Sequence, residues 1–432
     1  MFSDFIRYIE DKKVLILGFG REGRSTYDII RRSLPDKELG ISDRKEIRLK
    51  DDKVVIHSGK SYLDCVGDYD VVIKTPGVSL KNVLLPGDVV ITCQTDLFMH
   101  FSDCKCIGIT GTKGKTTVAT LLYGMLTEAG IKAGLIGSIG VPVLDTLEDG
   151  EPEIAIVEMS SSQLEFTTAS PEIAVLTNIY PEHIEHHNGF TGYVRSKLNV
   201  ARHQSFDNYF ICSAEGSFDG YCDFADIRST IIKVTSDPSG YENIMEAADA
   251  NFNIIGDHYV RNVLLAATAA RRAGVSDKDI CRAVMKFEGI EHRLEYVGKN
   301  EGISFFNDAL ATIPQATMAA VEGIGNVDTL IFGGMPVGID YDEFENYLYS
   351  CSVPNIIGLP DTGRELVTNL ANRGCRKNLI LVDDMESAVE KAFSVTSKGK
   401  SCLMSPAASS YNVYKDYEHK GNHFKKLVKG GT

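Results

Sequence analysis

Short apolar runs rich in Val and Ile alternate along the chain with longer stretches in which apolar residues recur at helical spacing. KVLILG (13–18) precedes an amphipathic stretch reaching about Arg32, and LGIS, KVVIHSG, DVVIKTPG and DVVITC follow. The pattern restarts with CKCIGIT (104–110) and a helix from about Lys115, then EIAIVEMS, IAVLTNI and YFICSAE. It restarts again with ISFFND, DTLIFGG, NIIGLP, NLILVDD and SCLMSP, each separated by a helix-length segment. Strands alternating with helices predict βαβ units, hence an α/β fold with largely parallel sheets. No Gly/Ser/Pro-rich linker or repeat marks a boundary, so the restarts set the expected domains: 1–93, 94–293 and 294–432. Ligands of such sheets bind beyond the carboxyl ends of the strands, so chemistry is expected just after the apolar runs.

The 432 residues agree with about three domains at ~150 residues each. Apolar residues at 43% and charged residues at 24% exclude a disordered chain. The 45 basic against 59 acidic residues leave a net charge of −14, which argues against a nucleic-acid partner. An anionic substrate would need local basic grips. No apolar run approaches the ~20 residues of a membrane span, and MFSDFIRYIEDKK lacks the features of a signal peptide. The ten cysteines are scattered and read as reduced thiols. These features predict a cytoplasmic protein with no membrane partner, and a monomer acting on small-molecule substrates is expected.

The strongest motif is Gly108-Ile-Thr-Gly-Thr-Lys-Gly-Lys-Thr-Thr117, entered by an apolar strand and left by a helix. Its glycines let backbone N–H groups face one anion, and the helix N-terminus adds partial positive charge. Gly111, Thr112, Lys113, Gly114 and Thr117 would cradle ATP, Lys115 would reach its outer phosphates, and Thr116 would ligate Mg²⁺. The strict G-x-x-x-x-G-K-[ST] spacing is not met, because residue 109 is Ile. Glu158 ends the strand EIAIVE, where its carboxylate could share Mg²⁺ with Thr116. Lys197, read from its surroundings alone, is an exposed helix lysine.

GxTGTxGKTT resembles the phosphate loop of the Mur ligase family, the ATP-dependent ligases that build the peptidoglycan stem peptide. VEMSSSQLE (157–165), NIYPEHIEHHNGFTGYVRSK (178–197), EHRLEYV (291–297) and MSPAASSYNVYKDYEHKGNHF (404–424) resemble its further motifs, in order along the chain. The resemblance implies three domains: an N-terminal Rossmann-like one, a central P-loop ATPase-like parallel sheet, and a C-terminal Rossmann-like one. It implies a ligase that joins an amino acid to UDP-muramoyl-alanine through an acyl phosphate, releasing ADP and phosphate. The members that add D-glutamate are the most similar. Catalytic residues implied are Lys115, Glu158, His183 and Lys197. His183 would hold a second Mg²⁺, and Lys197 matches a lysine that the family carries as a carbamate, an anionic metal ligand. Asn262 and Arg293 match residues near the adenine and phosphates of ATP, and Asp308 one that holds its ribose.

Gly18-Phe-Gly-Arg-Glu-Gly23 also follows a strand and opens a helix, with Asp43 twenty residues beyond. Alone it reads as a dinucleotide fingerprint, which keeps an NAD-dependent oxidoreductase as the alternative from another class. No later segment supplies a hydride-transfer constellation. In the family the equivalent domain binds the UDP of the sugar nucleotide. That makes Gly18, Gly20, Arg21, Glu22, Asp43, Arg44 and the loop Thr75-Pro76-Gly77 candidates for this substrate, with Ser138 facing the muramoyl moiety.

Two positions depart from the glutamate-adding pattern. Leu310 stands where those members have a lysine, and Val337 where they have a basic residue after a Gly-Gly pair. Thr312, Ser410 and Tyr417 keep the hydroxyl and aromatic positions that contact the amino acid. An unpaired buried carboxylate costs several kcal/mol. Either another basic group such as Lys415 or Lys113 compensates, or the amino acid differs. A folylpolyglutamate-type ligase is a further reading within the class.

Overall fold

A computed structural model describes residues 2–430 except 82, 138–141, 146–151, 182–184, 215–223, 236, 238, 252–256, 337, 339 and 412, with backbone alone at 2, 257 and 258. Three sheets carry the fold. The first is built from β1 (Val14–Leu17), β2 (Leu39–Asp43), β3 (Val54–Ser58), β4 (Val71–Lys74) and β5 (Val90–Thr92) in the order β3-β2-β1-β4-β5. The second holds β6 (Lys105–Thr110), β7 (Ala133–Ile136), β8 (Ile154–Glu158), β9 (Ile173–Leu176), β10 (Tyr209–Ser213) and β11 (Thr230–Val234), ordered β11-β10-β9-β6-β8-β7. All neighbours in both sheets pair parallel.

The third sheet contains β12 (Glu295–Asn300), β13 (Ile303–Asn307), β14 (Val327–Gly334), β15 (Asn355–Asp361), β16 (Asn378–Leu381) and β17 (Ser401–Met404). Its order is β12-β13-β17-β14-β15-β16, parallel except for the β12–β13 pair. The chain forms two compact units, residues 1–248 with 261–285 and residues 249–260 with 286–432. The first two sheets lie in the first unit and the third sheet in the second.

Central strands are apolar on both faces because helices cover both sides of the sheet. In β1, Val14 and Ile16 enter one cluster with Phe5 and Phe98, while Leu15 and Leu17 enter another with Val66 and Val72. In β13, Phe305 and Phe306 likewise divide between two clusters. Three edge strands escape the apolar-run pattern: β7, β11 and β12. TIIKV and EYVGKN are only partly buried, so neither carries a continuous apolar signal. β7 (AGLI) is only four residues long and half-buried.

Each sheet reverses its strand order once, and there the loops after adjacent strands diverge and leave a crevice. In the first sheet this lies between β1 and β4. In the second it lies at β6, flanked by β8 and β9. In the third, β17 inserts between β13 and β14. The glycine loops after β1 and β6, the Thr75 loop after β4 and the Gly333-Gly334 pair that ends β14 fall beside these points.

Candidate nucleotide and ligase site

The loop after β6 is shaped by close approach. Gly111 has φ +149°, and a Cβ there would lie 1.8 Å from Thr177 Oγ1. Gly114 caps the helix Lys115–Glu128 in the left-handed conformation, and its Cβ would lie 2.7 Å from Asn262 Oδ1. Thr177 and Asn178, just past β9, hold the loop from the other side. Thr177 Oγ1 donates to Lys113 O at 2.6 Å, Asn178 Nδ2 donates to the same carbonyl at 2.9 Å, and Lys113 N donates to Asn178 Oδ1 at 2.9 Å. Neither residue was legible as a site residue, although both stand directly after an apolar run.

Four predicted side chains meet on this frame. Thr116 Oγ1 donates to Glu158 Oε2 at 3.0 Å. Lys115 Nζ folds back to Gly111 O at 2.9 Å and Thr112 O at 3.2 Å. Lys197 Nζ reaches the same Gly111 carbonyl at 2.7 Å and lies 4.8 Å over the Tyr193 ring, whose hydroxyl pairs with Thr112 Oγ1 at 2.9 Å. Lys197 is 2% exposed. Its reading as a surface lysine is therefore corrected: the helix Phe190–Arg202 turns this residue towards the sheet, a rotation that residue type does not encode. Thr117 is buried and Lys113 exposed. His183 lies outside the described residues.

A hydroxyl and a carboxylate facing one another are the hard oxygen donors that Mg²⁺ accepts. Thr116 and Glu158 thus fit the ion, which would supply charge neutralisation on phosphate oxygens. Glu165, His186 and His187 form another group with ligand atoms within 4.8 Å of one another. The positive charge there is supplied by Lys74, 3% exposed and 3.8 Å from Glu165 Oε2.

In the first sheet the β1–β4 crevice is lined by two predicted loops. A Cβ on Gly18 (φ +94°) would lie 2.0 Å from Thr75 Oγ1, and one on Gly23 would lie 2.0 Å from Gly18 O. Gly18 is therefore required by its positive φ and the Thr75 side chain, and Gly23 by the backbone carbonyl of Gly18. Asp43 ends β2 and accepts from Phe19 N at 2.7 Å, so its carboxylate fixes the loop. Burial pushes the Glu22 carboxyl up to about 7, with Lys74 opposing, and burial holds the Lys74 ammonium below its usual range. Arg21, Arg44, Gly20 and Gly77 are exposed at this edge, and Thr75 and Pro76 half-buried. Ser138 lies outside the described residues.

Lys74 continues into the second sheet's face of the same unit. It donates to Ser162 O at 3.4 Å, and Glu165 in turn faces His186 at 3.5 Å and His187 at 3.9 Å. His187 is fixed by the hydroxyls of Ser161 at 3.0 Å and Ser196 at 3.2 Å. This partly buried polar chain runs from Lys74 at the end of β4 to the segments that follow β8 and β9. The sequence offered only VEMSSSQLE and a polar-looking EHIEHH as signals for it.

In the second unit Asp308 follows β13. It accepts from Ser405 Oγ at 2.8 Å and from Leu294 N at 3.1 Å, and burial pushes its carboxyl up to about 7 despite Arg293 nearby. Leu310 is half-buried and its N donates to His292 O at 3.0 Å. Thr312 is exposed, Tyr417 half-buried, and Ser410 buried with no partner for its hydroxyl among the described residues. Val337 lies outside the described residues. Lys415 and Lys113, the expected compensating cations, are both exposed.

Residues 109–270 match the family model of the Mur ligase middle domain. Across 99% of its length the chain is 31% identical to the UDP-N-acetylmuramoylalanine--D-glutamate ligase of Acetivibrio thermocellus, covering 98% of that protein. The chain belongs to the Mur ligase family. As a Mur ligase it is an ATP-dependent ligase of peptidoglycan precursor synthesis, which removes the oxidoreductase reading of the N-terminal glycine loop. The ligase of the same name from Clostridium botulinum is 29% identical over 99% of this chain and 98% of its own. Among solved structures, MurF of Acinetobacter baumannii aligns with TM-score 0.60 at 15% identity, over 96% of this chain and 90% of that one. The MurF ligase of Thermotoga maritima, solved with ADP, aligns with TM-score 0.57 at 14% identity, over 98% and 96%. These structures share the α/β fold expected from the pattern of apolar runs. Among the described residues no helix is long and apolar enough to cross a membrane.

Proposed function

We propose that this Mur ligase joins D-glutamate to UDP-N-acetylmuramoyl-L-alanine. The observation that carries the reading is the meeting of Lys115, Lys197, Thr116 and Glu158 on one glycine loop, in a chain aligned almost end to end with D-glutamate ligases. Lys115 would leave the Gly111 carbonyl for the outer phosphates of ATP. Thr116 and Glu158 would hold Mg²⁺, and His183 with a carbamylated Lys197 a second one. The γ-phosphoryl passes to the alanine carboxylate, giving an acyl phosphate and ADP. The amine of the amino acid attacks that carbonyl, loses a proton, and phosphate leaves as the amide forms. Transfer of this kind depends on positioning and charge stabilisation, which the glycine loop, Lys115 and the bound Mg²⁺ would supply.

Residues 1–93 would bind the UDP moiety through the Gly18 loop, Arg21, Arg44 and the Thr75 loop. Residues 94–293 would bind ATP, with Asn262 against the loop. Residues 294–432 would bind the amino acid, with Arg293 and Asp308 serving the nucleotide. The protein would act as a cytoplasmic monomer. Leu310 and the valine at 337 favour a second reading, in which another amino acid is added. Phosphate release from ATP is measured with UDP-N-acetylmuramoyl-L-alanine and a panel of D- and L-amino acids. Turnover with D-glutamate above all others is expected. Turnover only with a different amino acid would transfer the assignment to that substrate.

A further inference from the structure

Glu158 and Lys197, both proposed to serve Mg²⁺, come from different elements of the first unit. Glu158 ends β8, and Lys197 lies on the helix Phe190–Arg202. Mg²⁺ takes oxygen donors at about 2.0–2.1 Å in near-octahedral geometry, so a shift of about 1 Å in either element removes a donor. Something has to hold their spacing. His187 is buried between the two elements. Its Nε2 pairs at 3.0 Å with the hydroxyl of Ser161, three residues after Glu158. Its Nδ1 pairs at 3.2 Å with the hydroxyl of Ser196, the residue before Lys197.

Ser196 Oγ donates its one proton to Gly192 O at 3.0 Å, so it accepts from the ring, and Nδ1 carries the hydrogen. Backbone packing fixes the same ring. A Cβ on Gly192 would lie 1.8 Å from His187 O and 3.5 Å from His187 Cβ, so only glycine lets the helix close directly on this residue. The Tyr193 ring lies 5.6 Å from the imidazole, and its hydroxyl pairs with Thr112 Oγ1 of the glycine loop at 2.9 Å. Glu165 Oε1 stands 3.9 Å from Nδ1, and the His186 ring meets the imidazole edge-on at 4.7 Å. An apolar ring would fill the same volume, but only an imidazole can bond hydroxyls through two opposed nitrogens. Asn199 Nδ2 donates to Leu164 O at 2.8 Å, a second tie that keeps the helix docked when the ring is changed.

We propose that His187 is a positioning residue for the metal chemistry: by bridging Ser161 and Ser196 it sets the distance between the Glu158 strand end and the Lys197 turn of the helix. This rests on the reading of Glu158 and Lys197 as metal-binding residues. The test measures Mn²⁺ binding to the full-length protein with equimolar ADP, from the paramagnetic resonance of the free ion and against a protein-free control. The wild type is compared with His187→Asn and His187→Gln, each of which keeps only one of the two ring contacts. Mn²⁺ binding is expected to weaken at least about 10-fold in both. KM for Mg²⁺ should rise with it, while KM for the sugar nucleotide stays within about threefold. Unchanged Mn²⁺ binding beside a loss of turnover or of melting temperature would mark His187 as structural and overturn the proposal. Wild-type Mn²⁺ binding that Glu158→Gln leaves unaltered would instead overturn the metal reading, and this proposal with it. Should both ring variants fail to fold, Ser161→Ala and Ser196→Ala each remove one hydroxyl and leave the ring in place. Weaker Mn²⁺ binding in each supports the bridge, and wild-type binding in either refutes it.

Discussion

Replacing Gly111 by Ala would place a methyl carbon 1.8 Å from Thr177 Oγ1, 3.1 Å from its Cβ and 3.2 Å from Asn178 N. Ordinary contacts begin near 3.4 Å, so either Thr177 rotates or the loop moves by more than an ångström. Thr177 is 1% exposed, and its hydroxyl bonds the Lys113 carbonyl at 2.6 Å. Rotation leaves buried polar groups unpaired, at about 1–3 kcal/mol. Residual overpacking adds about 1–3 kcal/mol more. If the loop moves instead, the carbonyl that both Lys115 and Lys197 grip moves with it. A displacement near 1 Å costs roughly 100-fold in rate. Gly111→Ala should therefore lower kcat/KM for ATP by about two orders of magnitude and the melting temperature by about 5 °C or more. Phosphate release and thermal unfolding measure the two effects. Adding Thr177→Ala removes the oxygen that clashes, so the double variant should recover part of the loss, a coupling that a double-mutant cycle isolates. A Gly111→Ala protein within threefold of wild type and equally stable would refute this account of the loop.

Glu158→Gln keeps the shape of the side chain but removes the charge facing Thr116, and is expected to lower turnover more than 100-fold, with partial recovery at high Mg²⁺. Lys74→Met leaves Glu165 and Glu22 without their buried cation and should cost about 3–5 kcal/mol in thermal or denaturant unfolding; Lys74→Met with Glu165→Gln should recover most of it, and additive losses would deny the pairing. Asp308 has its folded pKa raised to about 7, so the folded protein holds the proton more tightly than the unfolded chain. Its contribution is present below about pH 4, declines as pH rises to about 7, and totals on the order of a few kcal/mol. Asp308→Asn should lack that decline, so the stability difference between variant and wild type should change by this amount over pH 4–7, and a pH-independent difference would contradict it.

Much of the fold was legible because central parallel strands are buried on both faces and so appear as unbroken apolar runs such as VLIL and IAVL. The edge strands β11 and β12 were not legible, since TIIKV and EYVGKN carry polar residues where one side meets water. The glycine loop after β6 was legible because its constraint is local: glycine at left-handed or crowded positions, then Lys-Thr opening a helix. The rest of the site depends on distant segments. Thr177 and Asn178, just past β9, and Tyr193, on the helix Phe190–Arg202, reach the loop from more than 60 residues away.

The order of residues alone determined three sets of βαβ units and the positions where their chemistry would fall, because strand burial and turn conformation impose residue type on neighbouring positions. Only the tertiary structure decided which charges are buried. Lys197 and Lys420 have the residue type of solvated surface side chains, yet each is 2% exposed and turned onto a glycine carbonyl. The environment of a charge is set by the elements packed around it, and those come from parts of the chain that local pattern does not connect.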